Sequence, residues 1–352
     1  MRGAAAAIGT TLILIATAPA QNQLATAHLP QVTLSLLQRA ETGDVDSARK
    51  LGVAYYTGKG APKDMGQAAY WFRKAADAGD SWAQTSLATM YAAGTGVAVN
   101  DNEAFRWWSR AAVSGDAQGQ HGVALAYYWG RGVPKDWGSA RRWFSKGAQQ
   151  NYPPSLTDLG VMLMRGEGGE RDLEAGLKLV RKAAGKHYAM AEFDMGRFYE
   201  SGEGVKLDYK EAVKWYRKAA DQDLHLAQYN LALLYARGEG TPRDFNEMAS
   251  LLKKAVEGGS FRACELLGNA YLHGWGVPPD PAIAYRLLLA ARSSGLEAVE
   301  LDVARREISP EQMAAGKTWA DSWVAQHGHQ SADEQLQRVS SISREDLSMP
   351  PR

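Results

Sequence analysis

The apolar positions of this chain recur with a period of 36 residues. Each period opens with a stripe of apolar or small residues at helical spacing, as at Ser47, Leu51, Ala54 and Tyr55 in the first copy. A second stripe, at Ala68, Trp71, Phe72 and Ala75, follows a short polar turn. This pattern predicts two amphipathic helices per period, helix A and helix B. Because neither helix can bury its stripe alone, the copies are expected to stack on one another.

The turn between the two helices carries a Gly-x-Gly pair in every copy. The pairs are Gly58/Gly60, Gly94/Gly96, Gly130/Gly132, Gly166/Gly168, Gly202/Gly204, Gly238/Gly240 and Gly274/Gly276. Each first glycine is expected to end helix A in the left-handed conformation. An acid or its amide then predicts the N-cap of helix B, at Asp64, Asn100, Asp136, Asp172, Asp208, Asp244 and Asp280. In four copies Gln67, Glu103, Glu211 or Glu247 follows three residues later, which predicts a capping box.

These columns form a recognisable motif. The motif, Ala-x-x-x-Leu-Gly/Ala-x-x-Tyr-x-x-Gly-x-Gly-Val-x-x-Asp-x-x-x-Ala-x-x-Trp-Phe/Tyr-x-Lys-Ala-Ala, resembles the Sel1-like repeat, a relative of the tetratricopeptide repeat; residues 211–220 match it closely. The resemblance covers about 44–295. It implies an all-α, right-handed helix-turn-helix solenoid of seven 36-residue repeats, with adaptor and scaffold roles. Copy 4 departs most, with Leu163, Leu179 and Pro153-Pro154; a local bend and simple drift are both compatible with these changes.

The segments outside the repeats are expected to cap the array. Residues 21–43 are expected to form an N-terminal segment with a capping helix, because residues 32–43 match the second half of a repeat. Residues 296–327 predict C-terminal capping helices, one of them starting at Ser309-Pro310. Residues 328–352 are polar and predict a disordered tail.

The first twenty residues have the pattern of a secretory signal peptide. A positive start precedes an apolar run and Ala18-Pro19-Ala20, which predicts cleavage before Gln21. A second small-residue triplet at 25–27 leaves the cleavage site open. The alternative, a membrane anchor, would need about 20 apolar residues. The pattern therefore predicts a bacterial periplasmic or secreted protein with no stable membrane insertion after cleavage.

Composition limits the classes of partner. Lys and Arg number 40 against 39 Asp and Glu, for a formal net charge of +1. This balance gives no support for nucleic-acid binding. The single cysteine, Cys264, excludes an intramolecular disulfide. Of the 36 glycines, fourteen belong to the seven turn pairs, so the high glycine content marks turns. Composition gives no indication of the oligomeric state.

No combination of residues indicates catalysis, a cofactor or a metal. The Gly-x-Gly pairs follow helices, whereas a nucleotide fingerprint follows a strand. Cys264 has no paired histidine in the pattern and is interpreted as a partly shielded spectator thiol. His327 and His329 lack the further ligands that a structural metal site needs.

One helix A face varies from copy to copy. Its columns correspond to positions 46, 50, 53 and 57 of the first copy and lie opposite the core stripe; we call these columns the variable face. Variation on a repeated scaffold is typical of a binding groove, although a solvated face that has drifted would also vary. The candidate partner-binding residues are Trp82, Trp129, Asp158, Arg165, Asp194, Arg197, Arg237 and Arg262. The repeated-column tryptophans are instead expected to be core residues, as is Trp108; they are Trp71, Trp107, Trp143 and Trp215.

The sequence thus favours an exported, non-catalytic scaffold or adaptor that binds a protein or peptide in its groove, in envelope signalling or host contact. One alternative is an envelope enzyme that acts on or binds peptidoglycan or β-lactams. Related proteins of that kind carry regularly spaced cysteine pairs, whereas this chain has one cysteine. Another is a glycan-binding module that uses exposed tryptophans. Trp82 and Trp129 in a closed pocket would favour a small ligand, and in an open groove a polypeptide.

Overall fold

A computed structural model of the protein describes residues 30–337. The predicted signal peptide, its cleavage site and residues 338–352 of the predicted tail lie outside this range. Within it the chain forms seventeen α-helices and no strand. The predicted all-α class, an α-solenoid type of helix-turn-helix repeat, is confirmed.

The chain divides into two compact units, unit 1 up to Gly147 and unit 2 from Ala148. The helices of unit 1 are α1 (Gln31–Glu41), α2 (Val45–Thr57), α3 (Met65–Asp77), α4 (Ser81–Ala93), α5 (Asp101–Val113), α6 (Ala117–Trp129) and most of α7 (Trp137–Gln149). Those of unit 2 are α8 (Pro153–Arg165), α9 (Leu173–Ala184), α10 (Ala189–Ser201), α11 (Tyr209–Ala220), α12 (His225–Arg237), α13 (Phe245–Glu257), α14 (Phe261–His273), α15 (Pro281–Ser293), α16 (Leu301–Arg306) and α17 (Pro310–Gln337). Helix A is therefore α2, α4, α6, α8, α10, α12 and α14.

The glycine pairs shape each turn, as predicted. The first glycine ends helix A in the left-handed region, with φ of 70–75° in all seven copies. The second also has positive φ in every copy, and at Gly96, Gly132, Gly240 and Gly276 it passes very close to the backbone of the preceding copy. A Cβ on Gly96 would lie 2.1 Å from the carbonyl oxygen of Met65, and one on Gly276 1.8 Å from that of Phe245. Backbone conformation and close approach both require glycine there.

The acid column caps helix B, as predicted, but the capping box does not form. Asp64 Oδ1, for example, accepts from the backbone N–H of Gln67 at 2.9 Å. The N–H of Asp64 itself donates to the carbonyl of Tyr55, and the equivalent bond recurs in all seven copies. The predicted capping box at Gln67, Glu103, Glu211 and Glu247 is therefore wrong. The N-cap N–H that these side chains were expected to bind already donates to a carbonyl in the last turn of helix A.

The small-residue column lets helices A and B of one copy approach closely. A Cβ on Gly52 would lie 2.3 Å from the ring of Phe72, and one on Gly196 2.5 Å from the ring of Tyr216. Fully buried leucines such as Leu51 pack beside them. These contacts form the layered core that the periodicity predicted.

The prediction that all the repeated tryptophans are core residues is only partly right. Trp71 and Trp107 are buried, but Trp143 and Trp215 are half-buried. A lysine ammonium covers each half-buried ring, that of Lys218 at 4.0 Å from the Trp215 centroid. The Trp143 ring lies under the ammonium of Lys146, at 3.7 Å from its centroid. Trp108, which was also expected to be a core residue, is half-buried against Gly122. A cation stacked on a ring stabilises it without full burial.

Capping helices form at both ends of the described range. In α1, Thr33 Oγ1 donates to the carbonyl of Gly60 at 2.6 Å. At the start of α17, Ser309 and Gln312 form a complete capping box. This helix continues to Gln337, so the tail that was predicted to start at residue 328 begins in helix. Residues 331–337 are rich in good helix formers and contain no Gly or Pro to end it. Pro153 and Pro154 lie in the first turn of α8, where proline fits a helix.

Candidate partner-binding site

The candidate residues lie on helix A elements of both units. Trp82 is on α4 and Trp129 on α6, in unit 1. The remaining six are in unit 2, on α8, α10, α12 and α14; they are Asp158, Arg165, Asp194, Arg197, Arg237 and Arg262. The structure connects five of these six through ion pairs and longer-range charge interactions.

The centre of this group is the pair of Asp194 and Arg197 on α10. Oδ1 of Asp194 accepts from Nη1 of Arg197 at 3.1 Å, and Asp194 is only 6% exposed. Burial raises the pKa of Asp194 to about 6, because the charged form loses water. The guanidiniums of Arg197 and Arg165 oppose that rise, and the carboxylate of Asp158 adds to it. Three predicted residues from two helices therefore act on the buried carboxyl of a fourth, Asp194.

Two further ion pairs span the glycine turns. Arg165 lies 3.9 Å from Glu167, and Arg237 lies 3.6 Å from Glu239. Each glutamate stands between the two glycines of its turn, directly after the helix that carries its arginine. Both arginine side chains remain partly exposed, at 28% for Arg165 and 27% for Arg237. They are thus held in place and still accessible to a partner.

A hydrogen-bonded group joins the ion pairs to the core. The Tyr216 hydroxyl donates to Glu200 Oε2 at 2.5 Å and accepts from Asn230 Nδ2 at 3.1 Å. Burial raises the pKa of Glu200, against the hydrogen bond from Tyr216 and the charge of Arg237. Burial and the Glu200 carboxylate raise the pKa of Tyr216 well above its usual value. Through Glu200, this group connects the charged residues of the variable face to the buried side chains of Tyr216 and Asn230.

We call the whole network the charged face; it comprises the predicted members on α8, α10 and α12 and five residues that the sequence analysis missed. They are Glu167, Glu200, Glu239, Tyr216 and Asn230. One signal was available, because copies 4 to 6 all read Gly-Glu-Gly at the turn. Arg262 was predicted to belong to this face, but it lies half-buried in the first turn of α14 and the described contacts do not link it to the network.

The tryptophans of unit 1 have different surroundings. Trp82 is 44% exposed and meets the ring of Phe72 edge-on at 5.6 Å. Trp129 is half-buried and meets Tyr128 edge-on at 4.7 Å. The two rings belong to separate aromatic clusters, that of Trp82 with Phe72 and Tyr56 and that of Trp129 with Tyr128 and Trp137.

Cys264 and His327, which the sequence analysis singled out as reactive side chains, are in the core. Cys264 is fully buried, not partly shielded as expected, because the helices on either side close over its column; burial raises the pKa of its thiol. His327 is also buried, and its Nδ1 lies 2.9 Å from the carbonyl oxygen of Trp323. Within residues 30–337 no three His, Cys, Asp or Glu side chains converge on a possible metal position. No helix of this range has the length and apolarity to cross a membrane.

A helix pair repeated seven times, with columns whose residues vary from copy to copy, defines an α-helical repeat protein of the interaction type. The Sel1 repeat family model matches seven segments, at residues 45–80, 83–116, 117–152, 153–187, 189–224, 225–260 and 262–296. The chain belongs to the Sel1 repeat family. Proteins of this family generally mediate protein–protein interaction and are generally non-catalytic.

Several solved structures are similar to this chain, and the first of those named here shares its fold. A Sel1 repeat protein from Oxalobacter formigenes is 30% identical with a TM-score of 0.60, over 78% of this chain and 80% of that one. The protective antigen c5321 of uropathogenic Escherichia coli, described as having an SLR fold, is 26% identical with a TM-score of 0.46, over 89% and 75%. Yeast Tom70 is 16% identical with a TM-score of 0.49, over 87% and 61%. No curated protein matches the chain significantly.

Proposed function

We propose that this protein is an exported, non-catalytic scaffold that binds a protein or peptide partner through the charged face of unit 2. The observation that carries the proposal is the set of linked ion pairs around Asp194, at positions where the repeat pattern imposes no residue type. The general role of the family supports the class of partner. Envelope signalling or host contact is the setting that we propose for it.

The energetics of the charged face agree with a binding role. Placing Asp194 and Arg197 in a poorly hydrated position costs desolvation free energy, and apolar side chains of similar size would often stabilise the fold more. Arg165 and Arg237 are held by neighbouring glutamates while part of each arginine side chain stays exposed. Arginines positioned in this way lose little conformational entropy when a partner binds, and they are frequent in the energetic centres of interfaces.

Site-specific photo-crosslinking tests the proposed face. Ser201 is exposed on the variable face of α10, in the column that carries Arg165 and Arg237 in the flanking copies. A benzophenone amino acid at Ser201 should crosslink a partner in the native cells, whereas the same group at exposed Glu174 on α9 should not. The double variant Arg237→Ala/Glu239→Ala keeps the net charge and should abolish the product. Equal products at both positions, or a product that this variant leaves unchanged, would contradict the proposal.

Export is tested separately. The leader pattern supports a periplasmic or secreted protein, with a mature chain that starts near Gln21. Fractionation of the native cells and N-terminal sequencing of the purified protein should find it outside the cytoplasm with the leader removed. An intact N-terminus in the cytoplasmic fraction would refute this part. Turnover of a β-lactam by the pure protein beyond one equivalent would instead favour the envelope enzyme.

A further inference from the structure

We infer that one proton controls the charged face: when Asp194 takes it up, Arg197 is released from its ion pair and the face loses affinity for its partner. This inference rests on the proposed function and names the regulation of the same site. The two residues suit this role because the carboxyl is inside the protein while its cation reaches the surface. Asp194 is 6% exposed, whereas the Arg197 side chain is 24% exposed.

The charged and titratable groups around Asp194 come from two helices. Arg197 lies on the same helix, α10, with Nη1 at 3.1 Å from Asp194 Oδ1. Helix α8 contributes Asp158 and Arg165, and the phenol of Tyr188 acts from the N-cap of α10. Asp158 and Asp194 occupy the same variable-face column in neighbouring copies. Two neighbouring carboxylates resist simultaneous ionisation, so this arrangement favours a proton on the more buried one.

The balance of these groups places the charge change of Asp194 in a moderate pH range. Burial and the Asp158 carboxylate favour its neutral form, whereas the guanidiniums of Arg197 and Arg165 favour its charged form. Burial has the largest effect, and the pKa of Asp194 rises from 3.8 to about 6. The carboxyl is therefore ionised at pH 7.5 and neutral at pH 5.0, where an ordinary aspartate keeps its charge.

Proton uptake changes what Arg197 can do. A neutral carboxyl no longer attracts the guanidinium by charge, which removes the main part of a charge-assisted hydrogen bond. Arg197 also interacts with Glu200 and Tyr216, so its side chain has a second carboxylate toward which it can turn. A partner that binds a released arginine must spend conformational entropy to fix it. The ionised form of Asp194 is thus the form that presents Arg197 ready for binding.

The first test needs no partner. In the purified full chain labelled with 15N-arginine, the heteronuclear NOE of the Arg197 Nε–Hε group reports the mobility of this side chain on the picosecond to nanosecond timescale. We expect a high NOE at pH 7.5, a low one at pH 5.0 and a midpoint near pH 6. Asp194→Asn mimics the protonated carboxyl and should give the low NOE at both pH values. The matched control, exposed Asp302→Asn, should show the wild-type step.

The second test measures binding with the benzophenone group at Ser201. In an extract of native cells, with the purified protein limiting, the crosslinked product should fall about tenfold from pH 7.5 to pH 5.0, because only about one molecule in ten keeps Asp194 ionised there. Asp194→Asn should give at pH 7.5 the low yield of the wild type at pH 5.0, with no further loss on acidification. Asp302→Asn should again follow the wild type.

Each outcome decides the inference. An NOE that stays high at pH 5.0, a step that persists in Asp194→Asn, or equal product yields at the two pH values would overturn it. A loss of product in Asp194→Asn as large as in the wild type would assign the pH dependence to the partner and overturn it as well. The proposed function fails separately, because it requires a product at Ser201 at pH 7.5 whether or not the yield depends on pH.

Discussion

Units 1 and 2 are built on the same repeat but present different chemistry on the variable face. In unit 1 the face carries Trp82 and Trp129, whose rings pack edge-on against neighbouring aromatic rings. In unit 2 it carries the charged face, with buried Asp194 at its centre. The turn between the two helices of a copy is held in the same way in both units, since every helix B N-cap N–H donates to the carbonyl of the Tyr column or of its Leu163 equivalent. Stability and recognition thus use separate columns.

The largest expected effect concerns the shared scaffold. Gly96→Ala in unit 1 and Gly276→Ala in unit 2 should each destabilise their unit by about 3 kcal/mol or more, because the new Cβ meets a backbone carbonyl and the residue has positive φ. Gly295→Ala is the matched control, since its φ is +90° but no atom lies within 4 Å of the new Cβ. Urea unfolding measures all three. If Gly295→Ala costs as much as Gly276→Ala, close approach is not what requires glycine.

Next in size is a pH-dependent effect confined to unit 2. Because the folded pKa of Asp194 is raised from 3.8 to about 6, its ionisation destabilises the fold, with no cost below about pH 4 and the full cost above pH 6. Asp194→Asn should therefore gain up to about 3 kcal/mol over wild type at pH 7.5 and little at pH 4.0. Exposed Asp302→Asn serves as the control. A stability difference that stays constant between these pH values would contradict the burial of an ionisable carboxyl.

The hydrogen-bonded group below the charged face has the third effect. Tyr216→Phe removes the donor to Glu200 and the acceptor of Asn230. Leaving two buried polar groups unsatisfied should cost about 2 kcal/mol. Tyr91→Phe in unit 1 removes a hydroxyl from a buried tyrosine for which no such bonds are described and should cost less than about 0.5 kcal/mol. Chemical denaturation of the two variants compares them, and equal costs would argue against the network.

The smallest effect should be equal in the two units. Asp64→Ala in unit 1 and Asp244→Ala in unit 2 each remove an N-cap side chain that accepts a backbone N–H. Each should cost about 1 kcal/mol. Local hydrogen exchange at the first turns of α3 and α13 would report the loss residue by residue. A clear inequality between the two sites would show that the repeat contacts differ in strength between the units.

The sequence predicted the scaffold well because its physical requirements repeat. Seven copies of one glycine pair and one capping acid identify a turn that any single copy would leave ambiguous. Burial was less predictable, since Trp71 and Trp215 occupy the same column but only Trp71 is buried. That difference depends on side chains from other helices, which column identity does not encode.

The candidate site was predictable only in part, because column variation points to single residues but does not encode their contacts with other helices. Variation in the columns identified Asp158, Asp194 and Arg197, which the structure brings together. It missed Tyr216, because a tyrosine in an aromatic column looks like any core residue. The role of Tyr216 depends on the contact between α10, α11 and α12. Arg262 lies in a variable-face column like the other candidates, but it is on α14 and outside this contact.

The central claim is that the charged face of unit 2 binds the partner, and that Trp82 and Trp129 on the variable face of unit 1 do not. Its most direct test is the amount of partner that the purified protein captures from native cells, measured by quantitative mass spectrometry for two double variants. We predict that Arg237→Ala/Glu239→Ala loses the partner and that Trp82→Ala/Trp129→Ala retains it at the wild-type level. Loss in the tryptophan variant with full retention in the Arg237/Glu239 variant would contradict the claim.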